Sequence, residues 1–263
     1  MSDTTNNMDI EKEALEFYNK HYPHSSHKEL DKQIKDWQNK VSTSRAFVEF
    51  YTERVGDVRN KRVLDVGFGS GGVATAFNLA GAVVYGVDVE PDLKPIADKN
   101  LVANKASADL RIYNGTELPF EDNFFDYIVC SAVLEHVSFP VQVLKEMFRV
   151  LKSGGRMWLA LPNRYAPKET HTLAYFVSYM PRPMASWYLK LLKRSPLEHD
   201  NLHFYSYFAV MRMLKKTGYK YELLYKDMDE MTGIKKIVAS FLKKFNIHYT
   251  ILLRQLMFIL EKK

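Results

Sequence analysis

Apolar runs and helix-like segments alternate along the middle of the chain. Residues 63–66, interrupted by Asp65, and residues 83–87 are apolar runs, and a small-residue segment with helical spacing, 73–79, lies between them. Short apolar runs bounded by turn residues predict strands buried on both faces, and strands that alternate with helices predict a parallel sheet. The pattern therefore predicts an α/β fold with a doubly wound, mostly parallel sheet.

Helical spacing precedes this region. It occurs at 10–19 and 30–51, and the breaker-rich segment 22–27 separates the two stretches. We expect residues 1–56 to form a helical N-terminal cover over the edge of the sheet, and residues 57–263 to form the main domain. Trp37, Tyr22 and Arg45 are candidate cover residues, although core packing is the simpler role for Trp37.

The C-terminal third continues the alternation. Residues 206–217 predict a helix, 219–225 a sixth strand and 255–261 a closing strand. Between the last two lies a basic amphipathic stretch, 234–245, with four lysines around one apolar face. That face is formed by Ile234, Ile237, Val238, Phe241, Leu242 and Phe245. We expect this helix to pack on the sheet with a solvated outer face; contact with a membrane surface is the alternative.

A glycine-rich turn follows the first apolar run. Gly67, Gly69 and Gly71 let the backbone turn sharply and approach a ligand closely, and the N–H groups that begin the next helix would face that ligand. Asp88 ends the second run at the carboxyl end of a strand, where it can accept hydrogen bonds from two ribose hydroxyls. These residues predict a pocket for a nucleoside cofactor.

The glycines alone do not identify the nucleoside. Gly67, Gly69 and Gly72 also fit the G-x-G-x-x-G spacing of NAD-dependent oxidoreductases. Asp65 favours a different cofactor, because an anion beside the helix N-terminus disfavours pyrophosphate but suits the sulfonium and ammonium groups of S-adenosylmethionine. With DVGFGSG at 65–71, the chain resembles the class I S-adenosylmethionine-dependent methyltransferases, whose first motif has the form [D/E]-x-G-x-G-x-G.

Three later segments extend the resemblance over about 60–163. They are NGTELPF at 114–120, which is similar to the family's adenine-contact segment, the fourth strand and its turn at 123–137, and a helix, Gly-Gly turn and fifth strand at 148–162. The resemblance implies a Rossmann-like sheet of seven strands in the order 3-2-1-4-5-7-6, with the last strand antiparallel, and S-adenosylmethionine as cofactor. The subgroup it resembles comprises small-molecule and quinone-biosynthesis methyltransferases.

The family pattern also implies which residues contact the cofactor. They are Asp65, Gly67, Phe68, Gly69, Gly71, Asp88, Val89, Asn114, Gly115, Thr116, Ser131 and His136. Asn114 departs from the pattern, because many relatives have Asp there; its amide carbonyl can still accept a hydrogen bond from the adenine amino group. Phe68 is bulkier than is common in this loop and would narrow the site.

An aromatic-rich insertion at about 163–205 follows the predicted fifth strand and is longer than a plain connection requires. We expect it to cover a small-molecule acceptor, either a metabolite, a glycan or a lipid-linked compound, with a hydroxyl oxygen as the preferred methyl acceptor. Carbon methylation of the quinone-biosynthesis type and a noncatalytic S-adenosylmethionine-binding regulator remain open.

A histidine could remove the acceptor proton at neutral pH. His203 is the first candidate, because it resembles the histidine at the start of the next helix in many relatives, and His171 is the second. No metal is expected. Glu198 and Asp200, which flank His199, give only a weak alternative site for magnesium.

The composition fits one α/β domain with a cover. The chain has 263 residues, of which 46% are hydrophobic, and a single cysteine, Cys130, in the predicted fourth strand. The formal net charge is +6, but the basic residues are dispersed and accompany no nucleic-acid motif, so no nucleic-acid partner is expected. The N-terminus lacks the apolar core of a signal peptide, and we expect a cytoplasmic protein.

Overall fold

The computed structural model describes residues 2–21, 27–194, 202–224, 233–245 and 249–263. The strands are β1 Arg62–Val66, β2 Val83–Asp88, β3 Asp109–Ile112, β4 Phe125–Ser131, β5 Leu151–Pro162, β6 Lys220–Leu224 and β7 Gln255–Glu261. The helices are α1 Ser2–His21, α2 His27–Gln38, α3 Lys40–Val55, α4 Gly72–Leu79, α5 Leu93–Ala103, α6 Pro140–Val150, α7 Arg182–Leu191, α8 Tyr207–Lys215 and α9 Ile234–Lys244.

The seven strands form one sheet in the order β3-β2-β1-β4-β5-β7-β6, which confirms the predicted order. The first five strands are parallel, and β7 runs antiparallel between β5 and β6. Parallel neighbours end at the same edge of a sheet, so the residues that follow β1, β2 and β4 come together there. This edge is the position at which doubly wound sheets bind ligands.

Buried side chains lie on both faces of the sheet. On one face, α6 presents Val143, Leu144, Met147 and Val150, all fully buried. Their spacing places them on one side of the helix, which explains why this segment folds as an amphipathic helix against strands. The other face is covered by α3, α4 and α5. Cys130 is buried within β4, and burial raises the pKa of its thiol well above its usual value.

The second N-terminal helical segment is two helices rather than one. It breaks at Asn39, which has φ −93° and ψ 1°. The Asn39 side chain donates a hydrogen bond to the carbonyl of Lys35 at 2.9 Å. Asparagine side chains compete in this way for backbone groups, which favours helix ends over helix interiors.

Helix α9 also differs from expectation. We expected its apolar face to pack on the sheet, but Ile237, Phe241 and Phe245 are exposed, whereas Ala239 is buried. The helix contacts the short 3₁₀ turn Tyr249–Leu252. The amphipathic pattern therefore identified the helix correctly but not the direction in which its apolar face points.

Candidate functional site

A cavity of about 870 Å³ opens at the carboxyl ends of β1, β2 and β4. Helices α1, α2 and α3 cover it. The lining from the cover comprises Phe17, Tyr18, His21, Gln33, Asp36, Trp37, Lys40, Thr43, Ser44 and Phe47. The lining from the sheet and its loops comprises Asp65, Gly67, Phe68, Gly69, Ser70, Val73, Asp88, Val89, Glu90, Leu93, Val129, Ser131, Ala132, Val133, His136, Trp158, Ala160, Gln255 and Met257.

The glycine turn between β1 and α4 packs closely against its neighbours. Gly67 has φ +78°, and a Cβ there would lie 2.4 Å from Cγ2 of Val133. Gly71 has φ +79°, and a Cβ there would lie 2.9 Å from Cβ of Ala97. Both positions require glycine for conformation and for space, because L side chains avoid this region and cannot approach so closely. The turn can therefore hold backbone against a ligand.

Asp65 lies near the end of β1 and is only 4% exposed. Its Oδ2 atom is buried, and no group in the described part of the chain donates a hydrogen bond to it. Burial raises the pKa of the Asp65 carboxyl to about 7; the positive charge of Lys40 opposes this effect and the negative charge of Asp88 adds to it. A buried carboxylate oxygen without a donor fits a cationic ligand group, such as an ammonium.

Asp88 ends β2 and faces the same cavity. Its carboxylate accepts hydrogen bonds from the backbone N–H of Gly69 at 2.9 Å and of Glu90 at 3.1 Å, which fix its orientation. Burial raises its pKa, and these N–H groups oppose that shift. A carboxylate has about four acceptor positions, so Asp88 can also accept a hydrogen bond from a ribose hydroxyl.

A cluster of two histidines and two glutamates adjoins the cavity. His136, in the 3₁₀ turn Leu134–His136 after β4, lines the cavity, and its ring centroid lies 5.4 Å from that of His171. Nδ1 of His171 lies 2.8 Å from Oε1 of Glu169, and Nε2 lies 3.9 Å from Oε1 of Glu135. The insertion after β5 thus brings an imidazole held by a carboxylate next to a residue of the cavity.

The carboxyl groups of the two glutamates have pKa shifts in opposite directions. Burial would raise the pKa of Glu169, but hydrogen bonds from the His171 ring and from the backbone of His171 and Thr172 outweigh it and lower the pKa to about 2. Burial raises the pKa of Glu135 to about 7, and within the described residues neither of its carboxylate oxygens has a hydrogen-bond partner. Glu135 can therefore gain or lose a proton near neutral pH. Ligand atoms of Glu135, His136 and His171 also lie within 4.8 Å of one another, a spacing that suits a cation.

The structure brings eight of the residues expected to contact the cofactor to one cavity. They are Asp65, Gly67, Phe68, Gly69, Asp88, Val89, Ser131 and His136. Gly71 is not in the lining and packs against Ala97 of α5. Asn114, Gly115 and Thr116 are not in the lining: Oδ1 of Asn114 accepts hydrogen bonds from the N–H groups of Thr116 and Glu117, both at 2.9 Å. Gly115 nevertheless adjoins Val89, since a Cβ there would lie 3.2 Å from Cγ1 of Val89.

The two candidate bases occupy different positions. Neither is in the cavity lining: His171 belongs to the cluster beside the cavity, next to His136, whereas the His203 ring packs on Tyr205 with centroids 6.2 Å apart. The His203 backbone N–H donates to the carbonyl of Glu135 at 2.7 Å, so this segment supports the cluster through its backbone. His199, with Glu198 and Asp200, lies outside the described residues.

The other candidate cover residues also differ in whether they line the cavity. Trp37 lines the cavity and also packs against Phe17 and Tyr18, whereas Arg45 is exposed and outside the lining. Tyr22 lies outside the described residues. Sequence reasoning missed Lys40, which no motif marks, and Trp158 and Gln255, because β5 and β7 show only the apolar pattern of buried strands.

Comparisons with known proteins agree with this geometry. Residues 64–159 match the methyltransferase domain family. The ubiquinone biosynthesis O-methyltransferase of Xanthomonas oryzae pv. oryzae is 29% identical over 149 residues, which cover 50% of this chain and 62% of that protein. The enzyme of the same name from Nitrosomonas europaea is 28% identical over 156 residues, covering 58% of this chain and 66% of that protein. The chain thus matches less than two thirds of the length of these relatives.

Structural similarity extends further along the chain than sequence similarity. The S-adenosylmethionine-dependent methyltransferase from Mesorhizobium loti superposes with a TM-score of 0.57 at 12% identity, covering 84% of this chain and 100% of that one. In the described part of the protein, every helix is too short or too polar to span a bilayer. Residues 64–159 therefore match a methyltransferase domain, and the sheet has the strand order that the resemblance to the class I S-adenosylmethionine-dependent methyltransferases implies.

Proposed function

We propose that the protein transfers the methyl group of S-adenosylmethionine to a hydroxyl oxygen of a small-molecule acceptor. The observation that carries this proposal is the imidazole of His171, held by buried Glu169 next to His136 of the cavity. Methyl transfer to a hydroxyl oxygen is faster when a base removes the hydroxyl proton. The names of the curated relatives, which are O-methyltransferases, support the same acceptor atom.

Residues at both ends of the cavity suit the cofactor. Asp65 would hold the ammonium group of the methionine moiety, and Lys40, which lies over the start of α4, would hold its carboxylate. Asp88 would accept hydrogen bonds from the ribose hydroxyls, with Val89 and Gly115 on the adenine side. When bound, S-adenosylmethionine supplies a sulfonium that makes its methyl group electrophilic.

The protein would act mainly by positioning. The acceptor oxygen forms a bond to the methyl carbon as the bond from carbon to sulfur breaks and its electron pair passes to sulfur, and the hydroxyl proton passes to the His171 imidazole. Glu169 accepts the proton of Nδ1 and stabilises the imidazolium that forms. Helices α1 to α3 and the insertion at 163–205 would exclude water, and holding both reactants in line supplies much of the barrier reduction.

The acceptor is a metabolite, a glycan or a lipid-linked compound. The insertion offers an aromatic surface to it, since Tyr165 and Tyr179 lie 6.2 Å apart and Tyr175 and Phe176 are equally close. Carbon methylation of a quinone precursor is the alternative, because an activated ring carbon can be methylated in a pocket with the same base.

The proposed function is tested in two steps. Calorimetry with S-adenosylmethionine, S-adenosylhomocysteine and NAD should show selective binding of the first two, and binding of NAD alone would contradict the proposal. Formation of S-adenosylhomocysteine is then followed with phenol and catechol acceptors. His171→Asn should lower kcat about 100-fold or more without changing cofactor affinity, whereas His203→Asn, the matched control, should retain most activity. Equal loss in the two variants would argue against His171 as the base.

A further inference from the structure

The side chains of Glu135, His136 and His171 meet beside the cavity, and we call these three residues the Glu135 site. Their ligand atoms, one carboxylate oxygen and two imidazole nitrogens, all lie within 4.8 Å of one another. Nε2 of His171 lies 3.9 Å from Oε1 of Glu135. Ligand atoms that share one zinc ion lie about 3 to 4 Å apart, because each bond is about 2.0 to 2.2 Å long. Movements of about 1 Å would therefore bring all three atoms to bonding distance.

Glu135 is the acidic residue of this site. It is 1% exposed, and in the part of the chain that the structure describes neither of its carboxylate oxygens has a hydrogen-bond partner. A buried carboxylate without a donor destabilises the fold unless it is protonated or binds a cation. A metal ion between Glu135 and the two imidazoles would supply that positive charge.

Glu169 fixes the orientation of the His171 ring. Its Oε1 atom lies 2.8 Å from Nδ1 of His171, and its carboxylate also accepts hydrogen bonds from the backbone N–H groups of His171 and Thr172. A proton on Nδ1 that is donated to Glu169 leaves the lone pair of Nε2 for a ligand. Histidines that bind metal ions are commonly held by a carboxylate in this way. The His171 ring therefore has the environment of a metal ligand.

We propose that the Glu135 site binds a divalent transition-metal ion, with Zn²⁺ as the best match. Two imidazole nitrogens and one carboxylate oxygen suit Zn²⁺, Co²⁺ or Fe²⁺, whereas Mg²⁺ and Ca²⁺ prefer oxygen ligands alone. Three protein ligands leave one position of a tetrahedral ion for water. His136 lines the cavity, so water can reach that position.

The bound metal ion regulates the methyl transfer proposed above, and this part of the inference rests on the proposed function. A metal ion on Nε2 of His171 occupies the lone pair that accepts the hydroxyl proton, since Nδ1 is held by Glu169. The metal-bound and proton-accepting forms of the ring therefore exclude each other. Zn²⁺ acts as a reversible inhibitor, and the metal-free chain is the active form.

Calorimetric titration of the dialysed full chain with ZnCl₂ tests the site. We expect one tight site per chain, which excess Mg²⁺ does not block. Glu135→Gln keeps the size of the side chain and removes its charge, and it should weaken zinc binding at least about 30-fold. His136→Gln, beside the cavity, should have the same effect if Glu135→Gln fails to fold. His21→Asn is the matched control, because His21, Glu90 and Asp92 form the other group of closely spaced ligand atoms among the described residues.

Cobalt gives a second readout, because Co²⁺ held by imidazole and carboxylate ligands absorbs visible light. This absorption should appear with the unmodified chain and be lost with His171→Asn. Absence of zinc binding, or an equal loss of binding with Glu135→Gln and His21→Asn in chains with unchanged melting temperature, would overturn the proposal.

Inhibition is measured separately from binding. Formation of S-adenosylhomocysteine should slow as Zn²⁺ fills the site and recover with EDTA, and a rate that rises with added Zn²⁺ would contradict the inhibitory role. Because zinc binding is measured without an acceptor, failure of the metal site and failure of the proposed methyl transfer give different results.

Discussion

Lys40, the first residue of α3, and Asp65, the fourth residue of β1, line the same cavity from the cover and from the sheet. Burial raises the pKa of Asp65 to about 7, and the charge of Lys40 restrains that rise. The two groups present a carboxylate and an ammonium to one ligand. This arrangement suits the zwitterionic end of an amino acid, which carries the opposite charges.

Replacing Asp65 should stabilise the ligand-free protein while weakening cofactor binding. The pKa of Asp65 in the fold, about 7, lies above the value of 3.8 outside it, so its contribution to stability is complete below about pH 4 and is lost as pH rises toward 7. Asp65→Asn should therefore raise the melting temperature by at least about 3 °C at pH 8, and by much less at pH 4.

The same variant should bind S-adenosylmethionine about 30-fold or more weakly, because the ammonium loses its buried partner. Calorimetry and thermal melts at the two pH values check both effects. An unchanged affinity would mean that the cofactor's ammonium lies elsewhere.

Lys40→Gln should move the pH dependence of cofactor binding. Without the lysine charge the pKa of Asp65 rises further, so a higher pH is needed to ionise the carboxylate that binds the ammonium. Calorimetric titrations between pH 6 and about 8.5 should show the midpoint displaced upward and affinity at pH 7 reduced several-fold. Lys40→Arg keeps the charge and should keep the midpoint; a loss of affinity that is the same at every pH would contradict the coupling.

Glu169→Gln should lower kcat and stability together. We expect kcat to fall about 10- to 100-fold, because the Nδ1 proton of His171 loses its carboxylate, while the KM for S-adenosylmethionine stays the same. The effect should shrink for acceptors with more acidic hydroxyls, which need a base less. Glu117→Gln, at an exposed glutamate, is the control. An equal loss for every acceptor would indicate a purely structural role.

Glu169 also predicts acid sensitivity. Its pKa in the fold, about 2, lies below its ordinary value of 4.5, so its stabilising contribution is present above about pH 4.5 and is lost as pH falls toward 2. Urea denaturation at pH 7 should show Glu169→Gln less stable by about 2 kcal/mol, because several buried donors lose a charged acceptor. The difference from the unmodified chain should narrow as the pH is lowered below 4.

Gly71→Ala and Gly154→Ala form a matched pair at positive φ. Gly71 has φ +79° and Gly154 has φ +73°, but a Cβ at Gly71 would meet Ala97 at 2.9 Å, whereas at Gly154 nothing lies within 4 Å. Gly154→Ala should cost about 1 kcal/mol for conformation alone, and Gly71→Ala about 2 kcal/mol more. Chemical denaturation measures both. Equal losses in the free energy of unfolding would show that the turn behind the cavity accommodates a Cβ without strain.

The elements that sequence identified best are those with strong local patterns. The apolar runs of β1 and β2 and the glycines between them were predicted closely, and family resemblance supplied the strand order. The break at Asn39 was missed because helical spacing continues through it. The outward face of α9 was missed because periodicity shows which residues share a face but not what that face meets.

The residues of the candidate site were likewise predicted where a local pattern marks them and missed where it does not. Asp65 was found because it lies two residues before the first glycine of the turn, and Asp88 because it ends β2. Trp158 and Gln255 were not, since only the folded sheet brings β5 and β7 to the cavity. Of the two candidate bases, sequence preferred His203. The cluster around His171 depends on how the insertion folds, and residues 163–205 have no periodicity that would indicate it.

The attachment of α1 has a consequence for the catalytic cycle. Lys20 forms an ion pair with Asp92, just beyond the segment 88–90 of the cavity wall, and Nε2 of His21 lies 2.9 Å from the same carboxylate. Glu13 pairs with Lys99 of α5. Separation of these pairs would free α1 from the cavity wall, and exposed pairs weaken in salt. We therefore expect dissociation of S-adenosylhomocysteine to become faster as ionic strength rises.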